Sequence, residues 1–113
     1  MHEWSVMASA LEIALEQTRR QGASRIHSIT LRIGELSGVI PEALTFAFES
    51  VAAGTPAEGA RLVVETVLVL CRCSRCDEEF HPADVIYLCP SCGQISANLR
   101  RGRELELASL EVS

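Results

Sequence analysis

An α+β fold is what this sequence predicts: a three-stranded sheet with two helices on one face and an inserted four-cysteine, zinc-ribbon-like module. Three observations carry that expectation. Helix-period and strand-period segments follow one another as helix, strand, helix, strand, with a further strand near the C-terminal end. Two Cys-x-x-Cys pairs, Cys73 with Cys76 and Cys89 with Cys92, fall between the fourth element and the last. The chain has 113 residues, 48% hydrophobic and only 4% aromatic, which is enough for one modest core and one metal-stabilised module but not for two full domains.

The first helix is expected from about Trp4 to Gln21, because Trp4, Met7, Leu11, Leu15 and Thr18 share a stripe that Ala8 and Ala14 widen. Trp4 reads as a core anchor of that stripe, and Gly22 as its C-terminal stop. Val6, Ala10 and Ile13 lie on the other side and predict a second contact. From Arg25 to Ile33, Ile29, Leu31 and Ile33 alternate with Ser28, Thr30 and Arg32, the pattern of a half-buried strand. Gly34 and Gly38 punctuate a loop. Pro41 then fits the first position of a second helix with Leu44, Ala47, Phe48 and Val51 on one face, ended by Gly54 and Pro56. One strand is expected from about Arg61 to Leu70, running almost directly into the first cysteine pair. In the last strand, Glu104 to Val112, Leu105 and Leu107 have one parity and Leu110 and Val112 the other, which predicts a bulge near Ala108 and Ser109. The division that follows is residues 1–71 with 101–113 as a helix-sheet domain and residues 72–100 as the metal module.

Each Cys-x-x-Cys lets one tight turn present two sulfurs to a single ion, and the twelve intervening residues allow a hairpin that brings the turns together. Zn(II) is the default occupant of four thiolates. Pro90 restricts the second turn and Gly93 can take positive φ, aiming backbone N–H groups at sulfur. Two other readings of the quartet stand beside this one: a pair of disulfides, and iron in a rubredoxin-like electron carrier. The start of the chain lacks a basic region followed by an unbroken apolar run, since Glu3, Glu12 and Glu16 interrupt it, so a reducing cytoplasm is expected, with thiols available for metal. Cys71 reads as buried packing rather than a fifth ligand. Phe80 and Tyr87 are expected to pack over the metal hairpin.

A net charge of −5 gives no electrostatic reason to expect nucleic acid or an anionic membrane. Around the module Arg72, Arg75, Arg100, Arg101 and Arg103 are opposed by Asp77, Glu78, Glu79 and Asp84, so a zinc-ribbon adaptor for nucleic acid gains no support. The apolar run Val67 to Cys71 is far too short to span a bilayer. A closed four-cysteine site leaves no open metal position, and no nucleophile and base pair stands out, so an enzyme is not expected.

Met1-His2-Glu3 clusters an α-amine, the amide nitrogen of His2 and an imidazole, with Glu3 as a possible oxygen ligand; Met1 is expected to be retained because His2 is not small. Nitrogen-rich coordination of this kind suits Ni(II) or Cu(II). The same residues also read as an ordinary helix start, with Glu3 favourable at the positive end of the dipole.

Terminal Met1-His2-Glu3, the strand ending Ile33-Gly34-Glu35, a second helix, and Cys73-x2-Cys76 with Cys89-Pro90-x-Cys92 together resemble the hydrogenase nickel-incorporation proteins of the HypA/HybF family, over nearly the whole chain. The resemblance implies a cytoplasmic nickel metallochaperone for [NiFe]-hydrogenase maturation, working with the GTPase HypB and delivering Ni(II) to the hydrogenase large-subunit precursor. It places transient nickel on His2, Met1 and Glu3, and structural zinc on Cys73, Cys76, Cys89 and Cys92. Where some members carry an acidic residue before the second helix, this chain has Ile40-Pro41, and Glu42 is assigned to the helix dipole. His27 and His81 read as structural or solvent-facing.

Overall fold

The computed structural model describes residues 2–84, 86–96 and 98–113. Helix α1 runs Glu3–Arg20, strand β1 Ile26–Gly34, a 3-10 turn Glu35–Ser37, helix α2 Pro41–Ala52, strand β2 Arg61–Val67, β3 Leu70–Cys73, β4 Glu78–Phe80, β5 Leu99–Arg101 and β6 Leu105–Val112. The terminators act as expected. Gly22 takes φ 71° just past α1, and Pro41 opens α2, where its missing N–H is no loss. Thr18 is tolerated inside the buried stripe of α1 because its hydroxyl donates to the Ala14 carbonyl at 2.7 Å.

The first sheet has the order β2-β1-β6. β1 and β2 are parallel, with α2 as the crossover such a pair requires, and β6 lies antiparallel on the other side of β1. Ile29, Leu31 and Ile33 share a parity and hence a face. They are buried together with Met7, Leu11 and Ala14 from α1 and Leu44, Ala47 and Phe48 from α2, so both helices cover that one face. On the opposite face Arg32 reaches Glu65 of β2 at 3.4 Å and Glu106 of β6 at 3.3 Å, exposed pairs that mark the register more than they stabilise it. The bulge falls where the parity slip placed it: Thr30 stands opposite Ser109 and Leu31 opposite Leu107, leaving Ala108 without a partner. That extra residue lets Leu107, Leu110 and Val112 all reach the same core.

Two expectations are corrected. Trp4 is 55% exposed rather than a core anchor, because the buried stripe of α1 begins one turn later, at Met7. The strand expected from Arg61 to Leu70 is two strands. β2 ends at Val67, the chain crosses at Leu68 and Val69, and Leu70 opens β3 in a second, antiparallel sheet of order β4-β3-β5. That sheet has its own small core of Val69, Cys71, Cys73, Phe80 and Cys89, with Tyr87 packed against it. The radius of gyration, 17.5 Å, exceeds the roughly 13 Å of a compact chain this long, as expected when two cores lie end to end.

The crossing is held from both sides. The Val69 N–H donates to Glu35 Oε1 at 2.6 Å, and the Val69 carbonyl lies 2.7 Å from His81 Nδ1. The returning strand passes beside it, with the Leu36 N–H donating to the Gly102 carbonyl at 2.6 Å and the Gly34 N–H to the Glu104 carbonyl at 2.8 Å. No helix among the described residues is long and apolar enough to cross a membrane.

Candidate metal-binding sites

Two knuckles of matching backbone geometry form the four-cysteine site. In the first, the Asp77 N–H donates to the Cys73 carbonyl at 2.8 Å; in the second, the Gly93 N–H donates to the Cys89 carbonyl at 2.8 Å. Both turns close on a left-handed residue, Asp77 at φ 59° and Gly93 at φ 74°. Glycine adopts that conformation freely and aspartate better than most other residues, which explains why Cys-x-x-Cys-Asp and Cys-x-x-Cys-Gly build the same turn. Ser91 Oγ donates to Glu78 Oε2 at 3.0 Å, tying the second knuckle to the strand that follows the first. The return segment is fastened to β3 as well: Ser96 Oγ donates to the Arg72 carbonyl at 2.5 Å and the Arg72 N–H to the Asn98 carbonyl at 2.9 Å.

The sulfurs of Cys73, Cys76, Cys89 and Cys92 all lie within 4.8 Å of one another, and the Cys73 to Cys92 separation is 3.7 Å. A tetrahedral ZnS4 centre with bonds of about 2.3 Å places its sulfurs roughly 3.8 Å apart, a spacing that the Cys73 to Cys92 pair already has and that the others lie within about 1 Å of. The environment is graded. Backbone N–H groups of Cys76 and Arg75 bring the Cys73 thiol down to about 7 against its burial, whereas Cys76 is pushed up to about 12 by its hydrogen-bonded neighbour Cys92 and by burial. A metal is bound by thiolate, so binding to thiols displaces protons. Cys71 stands outside the cage, buried in the small core, and burial pushes its thiol up. The packing role expected for it, and for Phe80 and Tyr87, is the one it has.

At the other end of the molecule, His2 is the exposed N-cap of α1. Its carbonyl accepts the Val6 N–H at 2.8 Å, while its own amide nitrogen precedes the helical ladder and has no place in it. Glu3 opens α1, and its Oε2 accepts the N–H of Ile40, the N-cap of α2, at 3.1 Å. That bond, first among several causes, holds the Glu3 carboxyl below the ordinary range. One carboxylate therefore joins the starts of both helices. Met1 lies outside the described residues. Glu42 stands exposed in the first turn of α2. His27 is exposed on β1 with Nε2 2.6 Å from Ser113 Oγ, and His81 holds the crossing.

Glu35, which the sequence shows only as part of the Ile33-Gly34-Glu35 strand end, is the residue whose role sequence reasoning did not assign. Nothing in local spacing connects it with Val69, 34 positions later; the one available signal was an acid placed directly after a strand and a glycine.

Comparison with known proteins is consistent along the whole chain. A family model described as "Hydrogenase/urease nickel incorporation, metallochaperone, hypA" matches residues 1–112. A hydrogenase maturation factor HypA from a Picosynechococcus species is 51% identical over 112 residues, covering 99% of each chain. A Roseiflexus relative of the same name is 44% identical, covering 98% of this chain and 91% of its own. Among solved structures, a solution structure of a HypA protein superposes with TM-score 0.73 at 29% identity, covering 100% of this chain and 97% of that one. The solution structure of the Ni metallochaperone HypA from Helicobacter pylori gives 0.68 at 26% identity, covering 97% and 96%.

Proposed function

This chain belongs to the HypA family of hydrogenase/urease nickel-incorporation metallochaperones, and from that premise we propose that it carries Ni(II) at its N-terminus and helps insert it into the [NiFe]-hydrogenase large subunit, around a resident zinc. The helix-sheet part that includes the N-terminus carries the cargo, and the part built on the second sheet, which takes in Leu70, Cys71 and Arg101 as well as residues 72–100, holds the zinc on Cys73, Cys76, Cys89 and Cys92. Zinc bound there supplies folding free energy to a small core and takes no part in delivery.

The cargo site consists of the His2 imidazole, the His2 amide nitrogen and the Met1 amine, with the Glu3 carboxylate as a further neighbour. One observation supports this most: His2 is exposed at the N-cap of α1, with its amide nitrogen uncommitted to the helix, and is followed by Glu3, whose carboxylate joins the starts of both helices. An open site of this kind can load and release an ion, whereas a closed cage of four thiolates holds one. Delivery proceeds by contact with the maturation GTPase HypB and the large-subunit precursor in the cytoplasm. The Glu3 bond to Ile40 ties the start of α1 to the start of α2.

Ni(II) titration of untagged, zinc-loaded protein tests the reading. His2→Ala should abolish specific nickel binding with zinc content and secondary structure unchanged. One extra residue before Met1 should weaken binding although every side chain survives, because the amine becomes a far less basic amide. His27→Ala and His81→Ala should bind nearly normally. Wild-type nickel affinity in the His2→Ala protein would refute the site.

A further inference from the structure

β6 is an edge strand. In the order β2-β1-β6 it pairs with β1 on one side only, and no described residue pairs with its other side, so a row of backbone donors and acceptors faces solvent along Leu105–Val112. Natural edges are blunted by proline, lysine or a bulge; β6 contains neither proline nor lysine, and its bulge at Ala108 interrupts the row at one place.

Beside that edge the core is not closed. Val6, Ala10 and Ile13, spaced four and three apart, form the second apolar stripe of α1 and lean toward β6 without filling the gap. A recess of about 340 Å³ between that stripe and Leu105 and Leu107 begins at His2. A second, of about 400 Å³, lies farther along the same seam between Gln17 and Gln21 of α1 and Leu110 and Val112 of β6. Ile13 and Leu105 are 54% and 51% exposed. The seam thus presents an apolar floor with an unpaired strand edge for its wall, a combination that an extended peptide satisfies and a helix does not.

We infer that an extended segment of another protein, alternating apolar and basic residues, adds to the outer edge of β6 with its apolar side chains in the seam against α1. The sign of the charge follows from the open face of β6, where Glu106 and Glu111 stand and β6 itself carries no basic residue; Glu106 is shared with Arg32 of β1 at 3.3 Å, whereas Glu111 has no ion pair among the described residues. Lysine or arginine on the added strand pairs with Glu111 and flanks Glu106 on the side away from Arg32. A second copy of this chain is disfavoured by the same residues. Because of the bulge, the register that keeps apolar side chains of two antiparallel β6 strands on one face throughout sets 105 against 112. It therefore opposes Glu106 to Glu111 twice. This docking edge does not depend on the nickel assignment, although the seam opens beside His2.

The test uses the full, zinc-loaded, 15N-labelled chain without nickel. The probe is the synthetic peptide acetyl-(Lys-Val)4-amide, with (Glu-Val)4 and (Lys-Ser)4 as controls. The expected result is a dissociation constant of about 100 μM for the Lys-Val peptide, with amide shifts confined to Leu105–Val112 and the Val6, Ala10, Ile13 stripe. The affinity should fall about threefold in Glu111→Lys and severalfold in Ile13→Ser. Both variants alter exposed side chains, so their far-ultraviolet spectra and zinc content should match the parent. No shift at millimolar peptide, equal binding of either control, shifts centred on another surface, or a concentration-dependent dimer through β6 would each overturn the proposal.

Discussion

Replacing Gly34 with alanine should damage the crossing between the two sheets more than any backbone preference explains. Gly34 has φ −77° and ψ 149°, values open to every residue, so conformational freedom is not what the position needs. It needs space. A Cβ built on Gly34 would lie 2.2 Å from the carbonyl carbon and oxygen of Gly102 and 2.6 Å from the Arg103 nitrogen, all of them backbone atoms. Relieving those contacts must push the two backbones apart by more than an ångström, since ordinary contacts begin near 3.4 Å. The bonds from Gly34 to Glu104 and from Leu36 to Gly102 lie in the path of that displacement. Overpacking of this kind costs roughly 1–3 kcal/mol, and each strained bond adds about 1 kcal/mol. A loss of about 3 kcal/mol lowers the midpoint of a chain this size by roughly 12 °C. Thermal unfolding with zinc present, read by circular dichroism, measures it, and amide exchange at Gly34 and Leu36 locates it. Gly38→Ala is the control, because at φ 78° it meets no atom within 4 Å and should lose only about 1 kcal/mol through backbone strain. A Gly34→Ala protein melting within about 2 °C of the parent, with both amides as protected as before, would refute the reasoning.

Cys73→Ala should release zinc and loosen the second sheet while the first keeps its structure, as read by metal analysis and amide exchange; full zinc content would contradict the assignment. Glu3→Ala should expose the Ile40 amide to exchange and loosen the α1 to α2 junction. Acid should do the same to the parent: a carboxyl held below its ordinary value keeps its tie above the usual carboxylate range and loses it as pH falls through that lowered value, which the Ile40 amide shift follows. Asp77→Gly should retain zinc with parent-like stability, since only its exposed pairing with Arg72 is lost. Asp77→Val should cost about 1–2 kcal/mol, because a β-branched residue resists the left-handed turn; equal stability of the two variants would count against the matched-knuckle geometry.

Local chemistry made much of this fold legible. Pro41, Gly22, the parity slip at Ala108 and the paired cysteines are each decided within a few residues of chain, and each behaves in the structure as its neighbourhood dictates. Trp4 was misread because periodicity reports the direction of a side chain and not how far along a helix the opposing surface extends. The division between β2 and β3 was missed because the run from Val67 to Cys71 is uniformly apolar and contains no breaker. What turns the chain there is the Val69 backbone, held by Glu35 from 34 residues before and His81 from 12 after. Such holds are tertiary, and one sequence does not show them. The same limit hid the open seam: the stripe of Val6, Ala10 and Ile13 was visible, but that it would be left half covered was not.

The position of β6 also sets an order of events at the ribosome. Its partner β1 is made some seventy residues earlier, and all four zinc ligands leave the exit tunnel before the first residue of β6. When the two knuckles can close, the first core still lacks Leu107, Leu110 and Val112 and exposes Leu31 and Ile33 along the missing strand. In a nascent chain, therefore, the metal-bound module matures first and the sheet that carries the N-terminus is completed last.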